Sequence, residues 1–142
     1  MLNISINPLL PIQTNCTNIT TPNYVYDLSI NSNATATCIN VLANNVTVDC
    51  HGFMINYSQN SIGYGINVSA NFTTIKSCNI AQSSYLDSVN GPDTSSNMSH
   101  AIYVLNGRNT TIYNSTITTN DTYAHGVFLT GANAVNISIN NN

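Results

Sequence analysis

The strongest constraint on this chain is a pattern that returns at short spacing. The stretch YGINVSANFTTIKSCNI (Tyr64 to Ile80) recurs as HAIYVLNGRNTTIYNSTI (His100 to Ile117) and again as HGVFLTGANAVNISI (His125 to Ile139). Each copy opens with an aromatic or His residue and a small residue. It then runs apolar, any, apolar: Ile66 and Val68, Ile102 and Val104, Val127 and Leu129. A short Asn/Gly turn follows, then Ile75, Ile112 or Ile137, and in two copies a further apolar position at Ile80 or Ile117. CINVLANNVTVDCHGFMI (Cys38 to Ile55) fits the same template with a small insertion near its end.

One unit, His100 to His125, is too short for a βαβ crossover and lacks the three-and-four apolar spacing of a helix. What fits is two or three short strands separated by Asn, Gly and Ser. Such strands cannot bury one face alone, so successive units must stack and share a core. The pattern therefore predicts a parallel β-solenoid. Its inward positions are Ile66, Val68, Ile75 and Ile80, each beneath its equivalent in the next unit at the paired-strand spacing of roughly 4.8 Å. Stacked β-branched side chains suit a pleated surface, which accounts for the preference for Ile, Val and Thr over Leu.

The run YVYDLSI (Tyr24 to Ile30), then VTVDCHG within Cys38 to Ile55, then repeated I-x-V and T-I units, resembles the right-handed parallel β-helix of the pectin-lyase-like superfamily. More narrowly, it is similar to the NosD-like repeats of archaeal and bacterial surface proteins. The resemblance implies an all-β, right-handed parallel β-helix of about four coils. Residues 1–22 would be an extended N-terminal arm or cap, and residues 23–142 the β-helix, with a surface-loop insertion at 81–99. Tyr24 to Ile30 reads as an entry strand with Tyr24, Tyr26, Leu28 and Ile30 on one face, and the first full coil as Thr37 to about Gly63. Function does not follow from such a fold, because the superfamily includes lyases, hydrolases, adhesins and structural proteins.

At 142 residues the chain makes one domain. Charged residues are only 5%, with two basic side chains, Lys76 and Arg108, against five acidic ones. That leaves no basic patch for nucleic acid and no polybasic stripe for anionic lipid. The polar work falls to Asn, Ser and Thr. The acceptor triplet N-x-[ST] occurs at Asn3, Asn15, Asn18, Asn33, Asn45, Asn56, Asn67, Asn71, Asn97, Asn109, Asn114, Asn120 and Asn136, thirteen in all. Chance placement of the Asn, Ser and Thr present predicts roughly six. One reading is N-linked glycans that supply the hydration charges do not. The other is that turns favour Asn and strands favour Thr, which sets the two side by side.

Cys16, Cys38, Cys50 and Cys78 contain no CxxC pair and do not read as a zinc site. An even count in a sequon-rich chain fits an oxidising, extracytoplasmic compartment. Three pairings are open. Cys16 with Cys38 would tie the N-terminal segment to the first coil, and Cys50 with Cys78 occupy related places in consecutive coils. Stacked inward thiols that stay reduced are the alternative for the second pair. No apolar run reaches the length of a membrane-spanning helix. Met1 to Ile12 lacks the basic and continuous apolar regions of an export signal, so an exported form would be a mature chain or a piece of a longer one.

Few residues suggest chemistry. Asp49, in VTVDCHG, has a functional reading as a catalytic or metal carboxylate, but the preferred one is a turn carboxylate bonding amides before Gly52, with His51 beside it exposed rather than a ligand. Asp87 and Asp93 fall in the 81–99 insertion, within an ordinary turn sequence. His100 and His125 share a place in consecutive coils and read as a side-chain ladder, since no third or fourth metal ligand accompanies them. The superfamily's hydrolases use several Asp residues and a G-H-G element, and Asn120, Asp121, His125 and Gly126 match fragments of that pattern. However, Ala124 replaces the first Gly, and no second Asp is expected on the facing strand of a neighbouring coil. Lys76 and Arg108 are separated by the insertion. Glycoside hydrolysis needs two carboxylates across one bond, and elimination needs a placed base. The expectation is therefore no enzyme, no catalytic residue, no metal and no cofactor.

Two other classes remain. Tyr57, Tyr64, Tyr85, Tyr103, Tyr113 and Tyr123, if exposed, would let the wall act as a carbohydrate-binding or adhesive module. The preferred expectation is a glycosylated extracellular structural protein of a surface layer or filament. Its partners would be copies of itself, joined head to tail through a strand-like arm and an uncapped last coil. Truncation of a longer solenoid is the competing account of that open end.

Overall fold

The computed structural model describes residues 16–84 and 98–140. Among them are fourteen strands and no helix, wound into a parallel β-helix. The first coil is β1 (Thr17–Ile19), β2 (Tyr24–Asp27) and β3 (Ser32–Asn33). The second is β4 (Ile39–Val41), β5 (Val46–Asp49) and β6 (Met54–Tyr57), and the third β7 (Ile66–Val68), β8 (Thr74–Lys76) and β9 (Asn79–Gln82). The fourth is β10 (Ile102–Leu105), β11 (Thr111–Tyr113) and β12 (Thr116–Thr118); β13 (Val127–Thr130) and β14 (Ser138–Asn140) begin a fifth. First, second and third strands each stack on their own kind, giving parallel sheets of five, five and four strands.

Register follows the sequence repeat residue for residue. Ile39, Ile66, Ile102 and Val127 form one inward column, and Val41, Val68, Val104 and Leu129 the next. Val48, Ile75, Ile112 and Ile139 line the second sheet, and Ile55, Ile80 and Ile117 the third. A one-residue slip would turn every one of these side chains outward, so the alternation fixes the pairing. The core runs along the axis: Ile39, Ile55, Ile66, Ile75, Ile80, Ile102 and Ile112 are all buried.

Bends between strands are made by single residues in the left-handed region. Asn23, Asn45, Phe72, Asn109 and Asn136, at φ 53–58°, stand at the entry to the second strand of the five coils. The first four donate their N–H to the next coil, as from Asn45 to the Asn71 carbonyl and from Phe72 to the Arg108 carbonyl. Asparagine tolerates this conformation better than most residues. Ser77 and Asn114 repeat the device before the third strand.

Two boundaries differ from the sequence reading. Thr17–Ile19 is β1, paired with β4 from Thr17 opposite Ile39 to Ile19 opposite Val41, so the solenoid begins inside the stretch read as an arm. Of that 1–22 arm, residues 1–15 lie outside the described residues. The insertion read at 81–99 opens later, because Ala81 and Gln82 complete β9; residues 85–97, with Asp87 and Asp93, also lie outside. In the entry strand, Tyr26 and Leu28 are buried, whereas Tyr24 is exposed.

Candidate functional site: a charged cluster on the second sheet

The outward column at the end of the second sheet collects a large share of the chain's scarce charge. Asp27 lies opposite Asp49 and Asp49 opposite Lys76, on β2, β5 and β8. Contrary to expectation, one pair of carboxylates does face across neighbouring coils. The signal was available, since YVYD and VTVD end on the same residue at the same place in the repeat. His51 follows Asp49 at a left-handed φ of 48°, which swings its ring back over the column.

The geometry is that of a bridge. Nε2 of His51 lies 2.9 Å from Oδ1 of Asp27, and Nδ1 lies 3.6 Å from Oδ1 of Asp49. The His51 N–H donates to the same Asp49 oxygen at 3.1 Å, the turn bond expected of Asp49. Lys76 Nζ reaches the other Asp49 oxygen at 2.8 Å. Burial pushes the Asp49 carboxyl up, but the bond from Lys76, the His51 amide and the charges of both partners outweigh it and hold the group below its ordinary value. The hydrogen bond and charge of Asp49 in turn raise the Lys76 ammonium above its own.

These shifts bear on the chemistry. A general acid needs a carboxyl kept protonated near neutral pH, and Asp49 is moved the other way. A lysine base needs a depressed pKa, and Lys76 is raised. Donor atoms of Asp27, Asp49 and His51 lie within 4.8 Å of one another. However, Lys76 already holds the second oxygen of Asp49, and the two imidazole nitrogens face different carboxylates. That arrangement joins three coils electrostatically.

The other sequence candidates scatter. The backbone N–H groups of Asn120 and Asp121 donate to the Gln82 carboxamide oxygen at 3.0 and 3.2 Å. His125 stacks on His100 at 5.2 Å between ring centroids, as a ladder. That ladder belongs to a wider stack: Tyr64 lies on Tyr103, and His100 on Phe128, each at 4.4 Å and within 9° of parallel. The second cation, Arg108, donates to Asn133 Oδ1 at 2.6 Å from the turn between β10 and β11.

The tyrosines expected as a sugar-stacking surface are placed differently. Tyr57 is fully buried, its hydroxyl donating to the Ser99 carbonyl at 2.9 Å, and Tyr103 is nearly so. Removal from water raises the Tyr57 phenol well above its ordinary value, so it stays neutral. Tyr85 lies outside the described residues, Tyr64 and Tyr113 are half-buried, and Tyr123 is exposed. The repeat explains the miss for Tyr57, which ends β6 in an inward position.

All ten described sequon asparagines, Asn18, Asn33, Asn45, Asn56, Asn67, Asn71, Asn109, Asn114, Asn120 and Asn136, are exposed or half-buried. Asn3, Asn15 and Asn97 lie outside the described residues. Several form rung-to-rung ladders: Asn67 Nδ2 donates to Asn40 Oδ1 at 2.9 Å, and Asn40 Nδ2 to Asn18 Oδ1 at 2.8 Å. Four sequon asparagines, Asn45, Asn109, Asn114 and Asn136, also serve as left-handed bends. The fold thus supplies its own reason for asparagine at those places.

Disulfides join Cys16 to Cys38 and Cys50 to Cys78, each across adjacent coils. Both fit an oxidising, extracellular environment, and no described helix is long and apolar enough to cross a membrane. Compared with protein-family models, with curated proteins and with solved structures, the chain gives no match.

Proposed function

We infer that the chain is a non-enzymatic, N-glycosylated structural element of an extracellular surface layer or filament, built by stacking copies head to tail. The right-handed winding and kinship with pectin-lyase-like, NosD-type surface repeats belong to the same reading and rest on the sequence resemblance. One observation carries the assembly. Leu129 and Ile139 stand in inward columns of the fifth coil yet are 41% and 49% exposed. At the opposite end, a cavity of about 240 Å³ is lined by Thr17, Ile19, Tyr24 and Tyr26 with Asn18, Thr20 and Thr21.

Continuing the register by one coil sets Leu129 against Ile19 and Ile139 against Tyr26 of a second copy. The contact is heterologous, so it propagates without closing, and it also pairs the edges of β13 and β14 that carry no partner strand among the described residues. Dispersal of the native material is tested by size exclusion and electron microscopy across concentration. Assemblies are expected from the parent chain, and monomers with an unchanged circular dichroism spectrum from a Leu129→Lys, Ile139→Lys variant. A parent chain that stays monomeric at every concentration overturns the assembly.

A further inference from the structure

The bend column reads Asn23, Asn45, Phe72, Asn109, Asn136, and its third member is out of place. Phe72 adopts φ 58°, a conformation that favours asparagine or glycine and penalises a bulky side chain. Burial does not compensate, because Phe72 is 54% exposed. A second oddity follows it. Thr73 is fully buried and its hydroxyl has no hydrogen-bond partner, a cost that valine of the same shape would avoid. The Thr110 hydroxyl, one coil further on, shares that condition. Both Phe72 and Thr73 belong to the triplet Asn71-Phe72-Thr73, in which Thr73 supplies the hydroxyl that an N-glycosylation acceptor requires.

Asn71 itself suits a substituent. Its Oδ1 accepts the Arg108 N–H at 3.0 Å, whereas Nδ2 makes no hydrogen bond among the described residues. Six other sequon asparagines, Asn45, Asn56, Asn67, Asn114, Asn120 and Asn136, use Nδ2 as a donor to the preceding coil; Asn18, Asn33 and Asn109 share the accepting arrangement of Asn71, but none of them precedes an exposed aromatic ring.

We propose that Asn71 is a principal N-glycosylation site and that its first sugar packs on the exposed ring of Phe72. The inference rests on the glycoprotein reading and sharpens it to one site and one contact. Transfer uses a lipid-linked oligosaccharide pyrophosphate. The Asn71 Nδ2 forms a bond to the anomeric carbon as the C–O bond to the pyrophosphate breaks. The lipid pyrophosphate leaves with the electron pair, and one amide proton passes to a base on the transferase or to water. Because the folded chain buries Thr73, modification precedes closure of the third coil. The sugar then covers an apolar ring that would otherwise face water, and this contact accounts for a phenylalanine in a strained, exposed bend.

The test uses the full chain secreted from a eukaryotic host that transfers N-linked glycans. Peptide mass spectrometry after enzymatic release in heavy-oxygen water reports each site. Asn71 is expected to be occupied, and Thr73→Val to remove that glycan while the chain still folds. Enzymatic release is expected to lower the melting temperature of the parent by several degrees. In Phe72→Asn, which keeps the triplet, the shift should shrink to within error. Asn71 bare while other sequons are occupied overturns this inference and leaves the glycoprotein reading standing. Every sequon bare overturns both. An occupied Asn71 with equal shifts in parent and Phe72→Asn overturns the contact.

Discussion

The first three coils and the last two are built on one template and held by different means. Coils one to three carry both disulfides, the Asp27–Asp49–Lys76 cluster and the Asn18–Asn40–Asn67 ladder. In coils four and five the same outward column of the first sheet changes from asparagine to Tyr103 and then Phe128, and ring stacking replaces hydrogen bonding. Inward burial also declines, from Ile75 and Ile112, both buried, to the exposed Ile139. In a solenoid each coil is stabilised only by its neighbours. Cross-links in the first half therefore do not hold the second, and among the described coils the fifth should open first.

The largest test of that contrast is removal of the covalent staple. Cys50 and Cys78 are 28 residues apart, and loop-closure entropy assigns such a cross-link about 3.6 kcal/mol. Cys50→Ser with Cys78→Ser should lower the urea midpoint accordingly. Native-state hydrogen exchange gives the sharper readout. In the parent, amides of β4, β5, β7 and β8 should outlast those of β13 and β14, and the gap should narrow in the double variant. Equal protection along the axis would remove the distinction.

An effect of comparable size separates two isoleucines of one inward column. Ile75→Ala should cost about 2–5 kcal/mol, the transfer and cavity terms of a buried aliphatic side chain. Ile139→Ala should cost roughly 0.5 kcal/mol or less in the dispersed chain, as at an exposed site. If copies stack, that second figure rises with protein concentration, because the side chain becomes interior. Urea titrations at two concentrations give both numbers.

Much of the architecture was legible in the sequence for a physical reason. Alternation of period two, repeated at one coil length, leaves a single register that buries Ile66, Val68, Ile75 and Ile80 together. Neighbouring columns were harder to read. Asp27 stands in YVYD, an entry strand that the recurring template does not include; once β2 stacks on β5, the carboxylates must face. Residue type alone places Tyr57 on the wall, yet its position two residues after Ile55 is inward. The left-handed bends are written in Asn23, Asn45, Asn109 and Asn136, but Phe72 hides the column by breaking its chemistry. Three-dimensional register, not residue type, decided each of these.

The smallest effect concerns the wall charges of the first three coils, and its sign differs on the two sides of neutrality. Asp49 is held below its ordinary value of 3.8, so the folded chain resists its protonation more than the unfolded chain does. The stability it contributes is complete above that value and is lost as pH falls through the lower folded one. Lys76 is raised above 10.5. Its contribution is complete below that pH and is lost as pH rises through the higher folded value. Melting temperature against pH in low salt should therefore show a plateau with an acid and an alkaline shoulder, both reduced by added salt. Lys76→Met breaks the shared bond, and should flatten the alkaline shoulder and shrink the acid one. If both shoulders persist unchanged, this ion pair is not what distinguishes the first three coils, and the disulfides and ladders alone set them apart from the ring-stacked end.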